Sequence, residues 1–132
     1  MESLNLYSIL ARKGLKREHL SRRTKKEHRD RIAVKLSTDW KRCANVLGLS
    51  EEDVESISKD NKWSRNRRLA MMQRWDGQNG SEATYLRLAQ ALAVIGRDDL
   101  VEYLIEIFLQ EQGFLFRGLG KTVRVPCLLL PC

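Results

Sequence analysis

The chain has 132 residues, 42% hydrophobic and 31% charged, with a net charge of +7. Those numbers suit one soluble domain with room for tails, and no apolar run approaches the roughly 20 residues that span a bilayer. The first ten residues include Glu2 and lack the basic start and apolar block of a signal peptide. Cys43, Cys127 and Cys132 make no disulfide framework, which points to a reducing, intracellular setting.

The charge is unevenly placed. Residues 1–30 hold nine Lys/Arg against four Asp/Glu, residues 31–110 hold twelve of each, and residues 111–132 hold three against one. The basic character therefore belongs to the ends, and the pI of 9.6 says little about the middle. The chain divides into a basic extension over 1–26, a helical domain over 27–108 and an apolar C-terminal tail over 109–132. The stretch "ARKGLKREHLSRRTKKEHRDR" has scattered leucines among its cations and reads as a partly helical extension or a flexible, solvated tail, the tail being favoured. "GFLFRGLGKTVRVPCLLLPC" at the other end lacks helical periodicity and reads as poorly ordered.

Within the domain, Ile32 and Leu36 suggest a first helix from about Glu27. Trp40, Cys43, Ala44 and Leu47 fall at i, i+3, i+4 and i+7, the spacing of one buried helical face. Lys41, Arg42 and Asn45 then point away, so Trp40 reads as a core anchor rather than an exposed stacking residue. Gly48 stands where a left-handed C-terminal residue is wanted, with Leu49 as its apolar partner. Ser50 opens the next helix with Asp53 in a capping-box position, and Val54 and Ile57 form its inner face. Leu69, Met72 and Trp75 recur at three-residue intervals in a helix beginning near Ser64, which "DGQNG" at 76–80 is expected to break. Tyr85, Leu88, Ala89, Leu92 and Ile95 mark a fifth helix, stopped by Gly96. Leu100, Leu104, Ile107 and Phe108 mark a sixth. No segment shows sustained period-two alternation, so the expected fold is all-α.

Taken together, "STDWKRCANVLGLSEEDVESI", "LAMMQRW" and "GSEATYLRLAQALAVIGRDDLVEYL" resemble a death domain over about residues 27–108. Trp40, the "LGLSEEDVESI" junction, Arg74–Trp75, "AT" before the fifth helix and "AL…IGRDDL" stand in the family's order. The resemblance implies a six-helix antiparallel Greek-key bundle without catalytic activity or cofactor. It implies assembly with other death-domain proteins, self-association included, in apoptotic, inflammatory or innate-immune signalling. The expected compartment is the cytoplasm, with the basic N-terminal run as a candidate nuclear-import signal. Where the family has a large aliphatic this chain has Cys43, and neither extension belongs to the family pattern.

Charge inside the domain is segregated although its net is zero. Glu51, Glu52, Asp53 and Glu55 make one helix start acidic, whereas Lys62, Arg65, Arg67, Arg68 and Arg74 make the next helix basic. A solvated surface would give the same pattern, and exposed pairs contribute only ~0–1 kcal/mol each. The resemblance favours function: one molecule's acidic face meets another's basic face, a heterologous contact that propagates. It also implies a second contact between the end of the fourth helix with its following loop and the stretch around Arg97–Asp98.

Other motifs carry less. "GLGKT" at 118–122 lacks the glycine of a phosphate loop, because Leu115 stands in its place. His19 and His28 have no cysteine or acid pair at ligand spacing, so no metal site is expected and both read as solvated. No nucleophile, base and oxyanion set suggests an enzyme. Cys127 and Cys132 match no C-a-a-X pattern. The competing reading is a nucleic-acid-associated protein that binds through its basic N-terminal arm. That arm has one aromatic, Tyr7, set well before the charge cluster, so support for base stacking is poor.

Overall fold

The computed structural model describes residues 2–112, so "GLGKT", Cys127 and Cys132 lie outside the described residues. Seven α-helices are described: α1 (Glu2–Arg12), α2 (Lys26–Leu36), α3 (Trp40–Val46), α4 (Glu51–Asp60), α5 (Ser64–Asn79), α6 (Tyr85–Val94) and α7 (Asp98–Gln112). The last six form the all-α Greek-key bundle. In it α2 lies against α5 and α7, α3 against α5 and α6, α4 against α5, and α6 against α7.

Local chemistry sets the joints. Trp40, Cys43, Ala44 and Leu47 are all buried, which answers the question posed by a tryptophan among cations. Gly48 takes φ +99°, and the Leu49 N–H donates to the Ala44 carbonyl at 3.0 Å, closing α3 with Leu49 buried beneath the turn. At the start of α4 the Asp53 N–H donates to Ser50 Oγ at 3.1 Å, and the Ser50 N–H donates to an Asp53 carboxylate oxygen at 3.2 Å. This reciprocal cap satisfies two helix-end donors with two short side chains. Thr84 Oγ1 caps α6 by accepting from the Arg87 N–H at 3.2 Å.

Two helices differ from the sequence reading. The break expected at 76–80 falls at the far end of that stretch: α5 continues through Gly77 to Asn79 and stops at Gly80, which takes φ +56°. Its buried stripe is Met71, Met72 and Trp75, while Leu69 is only partly buried. Two residues before Met71, Leu69 is turned roughly 200° around the helix and reaches only the edge of the core.

The N-terminal stretch differs more. Expected as a solvated tail, it carries α1, whose Leu6, Ile9 and Leu10 are buried at helical spacing. This helix lies on α6 and α7. On α7 the residues Val101, Ile105 and Leu109 are buried as well as Leu100, Leu104, Ile107 and Phe108, so the buried face of this helix is wide. After α1, Leu15 and Leu20 are also buried. An antiparallel bridge then joins Arg23 to Thr84: the Thr24 N–H donates to the Ala83 carbonyl at 2.8 Å, and the Tyr85 N–H to the Arg22 carbonyl at 3.0 Å. Ile9→Ala is accordingly expected to cost about 2 kcal/mol, the lower end of the range for a core aliphatic. Urea unfolding of the full chain measures this; an unchanged midpoint would mean that α1 does not contribute to the fold.

His28 is likewise buried rather than solvated. The Lys25 N–H donates to Tyr85 Oη at 3.3 Å, and the same hydroxyl shares a hydrogen bond of 2.6 Å with His28 Nδ1. Burial lowers the His28 pKa, and the Glu111 carboxylate, 4.0 Å away and beyond hydrogen-bonding distance, opposes that shift. His19, by contrast, is exposed.

Candidate interaction surfaces

The charged residues of α4 and α5 fall into two groups according to whether their side chains make polar contacts within the molecule. Asp53 belongs to the first. It caps α4, accepts from the Gln78 amide at 3.1 Å and pairs with Arg74 at 3.0 Å. The Gln78 amide, the Ser50 N–H and the Arg74 guanidinium together hold its carboxyl down to about 2. Arg67 turns inward, its Nε donating to the Asn61 carbonyl at 2.7 Å, and Arg68 donates to Ser64 Oγ at 2.7 Å. Arg97 is also engaged, with Asp39 at 2.9 Å, Asp99 at 3.1 Å and the carbonyls of Leu36 and Lys35. Its neighbour Asp98 is exposed at the start of α7.

The second group faces water. Glu51, Glu52 and Glu55 are exposed and pair with no described residue; Glu51 and Glu52 lie in the first turn of α4 and Glu55 one turn further on. Lys59, Lys62 and Arg65 are exposed at the other end of that helix and across the short connection to α5. Along α4, Glu51 and Lys59 stand eight residues apart, roughly 12 Å at 1.5 Å per residue, while Glu55 and Lys59 are one turn apart. The intramolecular contacts thus divide an acidic and a basic helix into an internal pair, Asp53 and Arg74, and two exposed patches of opposite sign.

One residue of this surface went unread in the sequence. Trp63 is 65% exposed, whereas Trp40 and Trp75 are 5% and 1% exposed. Its isolated position between α4 and α5, off any apolar periodicity and next to Lys62, was the available signal.

The basic N-terminal arm is placed differently from a free tether. Arg12 pairs with Glu102 at 3.1 Å, Lys26 with Asp30 at 2.7 Å, and Lys25 with Glu111. Arg23 grips both oxygens of Asp76 at 3.0 Å each, and the buried Arg29 reaches the same carboxylate at 3.3 Å. Much of the arm's charge is therefore satisfied by carboxylates of this chain. Among the described residues no group of three or more His, Cys, Asp or Glu is placed to hold a metal ion, and no helix is long and apolar enough to cross a membrane.

An all-α bundle with oppositely charged patches and a presented tryptophan defines an interaction module. The family model of the Death domain matches residues 26–108, and the chain belongs to that family. Over 84 residues it is 33% identical to human receptor-interacting serine/threonine-protein kinase 1, covering 61% of this chain and 12% of that protein. It is 35% identical over 65 residues to the mouse death domain-containing membrane protein NRADD and 37% identical to the rat protein of that name. Each of those matches covers 49% of this chain and 27% of the relative. The chain thus spans a minor part of these relatives, and what is shared is the death domain, a non-enzymatic interaction module of signalling proteins. No solved structure matches the chain.

Proposed function

We propose that this death domain assembles head-to-tail, the acidic start of α4 in one molecule meeting the basic α4–α5 junction of the next. Its partners are other death domains, further copies of itself included, and the assembly scaffolds a signalling step in apoptosis, inflammation or innate immunity. The cytoplasm is the setting that fits, since the buried Cys43 is a free thiol suited to a reducing compartment.

The observation that carries this reading is the pair of exposed, internally unmatched patches, Glu51–Glu52–Glu55 on the N-terminal half of α4 and Lys59–Lys62–Arg65 from its last turn across the junction to α5. A contact between unlike patches leaves one of each free, so it can propagate rather than close. Arg67 and Arg68 support the basic end from beneath through their bonds to Asn61 and Ser64.

Complementary charge sets encounter rate and register more than affinity, and it is screened beyond about 10 Å at 0.1 M salt. Lys62→Glu combined with Arg65→Glu is therefore expected to abolish salt-sensitive association while leaving the melting temperature close to the parent's, because both side chains are exposed. Light scattering on full-length protein at 50 and 500 mM salt is the measurement. Association by the reversed variant equal to that of the parent at low salt would place the interface elsewhere.

A further inference from the structure

We infer that Trp63 is the apolar anchor of the head-to-tail contact, and that its occupant is the acidic start of α4 in a second copy of this chain. The inference rests on the reading above and adds the residue that supplies binding energy where charge supplies register.

A tryptophan that is 65% exposed leaves most of a large apolar side chain in water, and among the described residues the other exposed large hydrophobics are two valines, Val34 and Val94. Its backbone is held from both sides. The Asn61 N–H and side-chain amide both donate to the Ile57 carbonyl, at 3.2 and 2.9 Å, closing α4. Arg67 then locks the connection, its Nε bonding the Asn61 carbonyl at 2.7 Å and its N–H bonding the Trp63 carbonyl at 3.0 Å. Only Lys62 and Trp63 lie between Asn61 and the first residue of α5, so the indole stands on a clamped two-residue step. An aromatic side chain presented on rigid backbone loses little entropy when covered, and such residues dominate interface energetics.

The charge around the ring selects the occupant. The Lys62 ammonium sits 5.5 Å from the ring centroid, and Lys59 and Arg65 are exposed on either side. The nearby acid Asp60 accepts from Ser56 Oγ at 3.4 Å. A partner here must bring carboxylates and a surface open enough for an indole. The other end of α4 offers both. Glu51, Glu52 and Glu55 are exposed, and the Asp53–Gln78 contact brings the end of α5 beside them. Next to Gln78, Gly77 is exposed, with nothing within 4 Å of where a side chain would begin. Bare backbone on the helix that Asp53 ties to α4 is a seat for a ring flanked by cations.

Trp40 and Trp75 are buried, so fluorescence quenching by acrylamide reports on Trp63. In the full chain at low salt, raising the concentration is expected to blue-shift the emission and reduce the quenchable fraction. Trp63→Ala should weaken association about 30-fold or more with little change in melting temperature. The direction of the contact is tested by mixing. A Glu51→Lys, Glu52→Lys, Glu55→Lys variant keeps its Trp63 but has no acidic end, and its fluorescence should not depend on its own concentration. Adding the Trp63→Ala variant, whose acidic end is intact, should protect that tryptophan. If Trp63→Ala associates like the parent while Lys62→Glu with Arg65→Glu does not, the anchor is overturned and the charge reading stands. If Trp63→Ala weakens association but the mixture shows no protection, the second-copy occupant is overturned. If neither variant changes association, both readings fall.

Discussion

Trp40→Ala is expected to destabilise the bundle by ~3–5 kcal/mol, the combined effect of lost transfer free energy and the cavity left behind. Small domains are stable by only about 5–15 kcal/mol, so this loss is a large fraction of the whole. The expectation follows from how little else secures α3. That helix has seven residues, too short to persist by intrinsic propensity, and it is held by the burial of Trp40, Cys43, Ala44 and Leu47. Lys41 stands over the Trp40 ring at 5.8 Å but is itself exposed, so Lys41→Ala should leave stability nearly unchanged. Urea unfolding followed by far-ultraviolet circular dichroism separates the two. A Trp40→Ala protein that unfolds like the parent yet loses partner binding would return Trp40 to the surface.

The second large effect is expected at Asp76. Its carboxylate pairs with Arg29, whose side chain is 8% exposed, and with Arg23. Arg29 also donates to Thr24 Oγ1 at 3.1 Å, at the bridge that pins the N-terminal segment beside α6. Asp76→Ala strands a buried guanidinium. Breaking a buried pair from one side costs ~3–5 kcal/mol; because Asp76 is 18% exposed, water offsets part of this and ~2–3 kcal/mol is expected. The cost should be much smaller when Arg29 is first replaced by Met, since no buried charge is then left alone. Equal costs in the two backgrounds would show that the loss arises elsewhere.

The legible parts of this fold were those written in local sequence. The Ser50–Asp53 cap, the Gly48 turn with Leu49, and the spacing of Trp40, Cys43, Ala44 and Leu47 each involve residues a few positions apart. What escaped depends on residues far apart in the chain. The role of α1 follows only from its packing on α6 and α7, which lie far along the chain. Leu6, Ile9 and Leu10 did carry helical spacing, but the cations that follow them suggested solvation. His28 looked polar in sequence because its partner, the Tyr85 hydroxyl, is 57 residues away. The Gly77 that suggested a break is tolerated within α5, a single glycine costing about 1 kcal/mol in a helix that its buried face retains.

The candidate surface was legible as charge and not as contacts. Acid at the start of α4 and base along α5 are plain in composition. Which charges remain available is not, because Asp53 meets Arg74 across 21 positions and Arg67 folds back on Asn61. Around the α4–α5 junction the exposed cations are Lys59, Lys62 and Arg65, and beside them stands Trp63, a residue that periodicity had left without a role.

The head-to-tail claim is tested most directly by the mass of a mixed complex. One variant carries Glu51→Gln, Glu52→Gln and Glu55→Gln; the other carries Lys62→Gln and Arg65→Gln. Each lacks one end of the contact and should remain monomeric alone in light scattering at 50 mM salt. Mixed in equal amounts they retain one productive acidic end and one productive basic end. The account predicts a complex of two chains that grows no further and dissociates as salt is raised. Two monomers that ignore each other, or variants that each assemble like the parent, would contradict it.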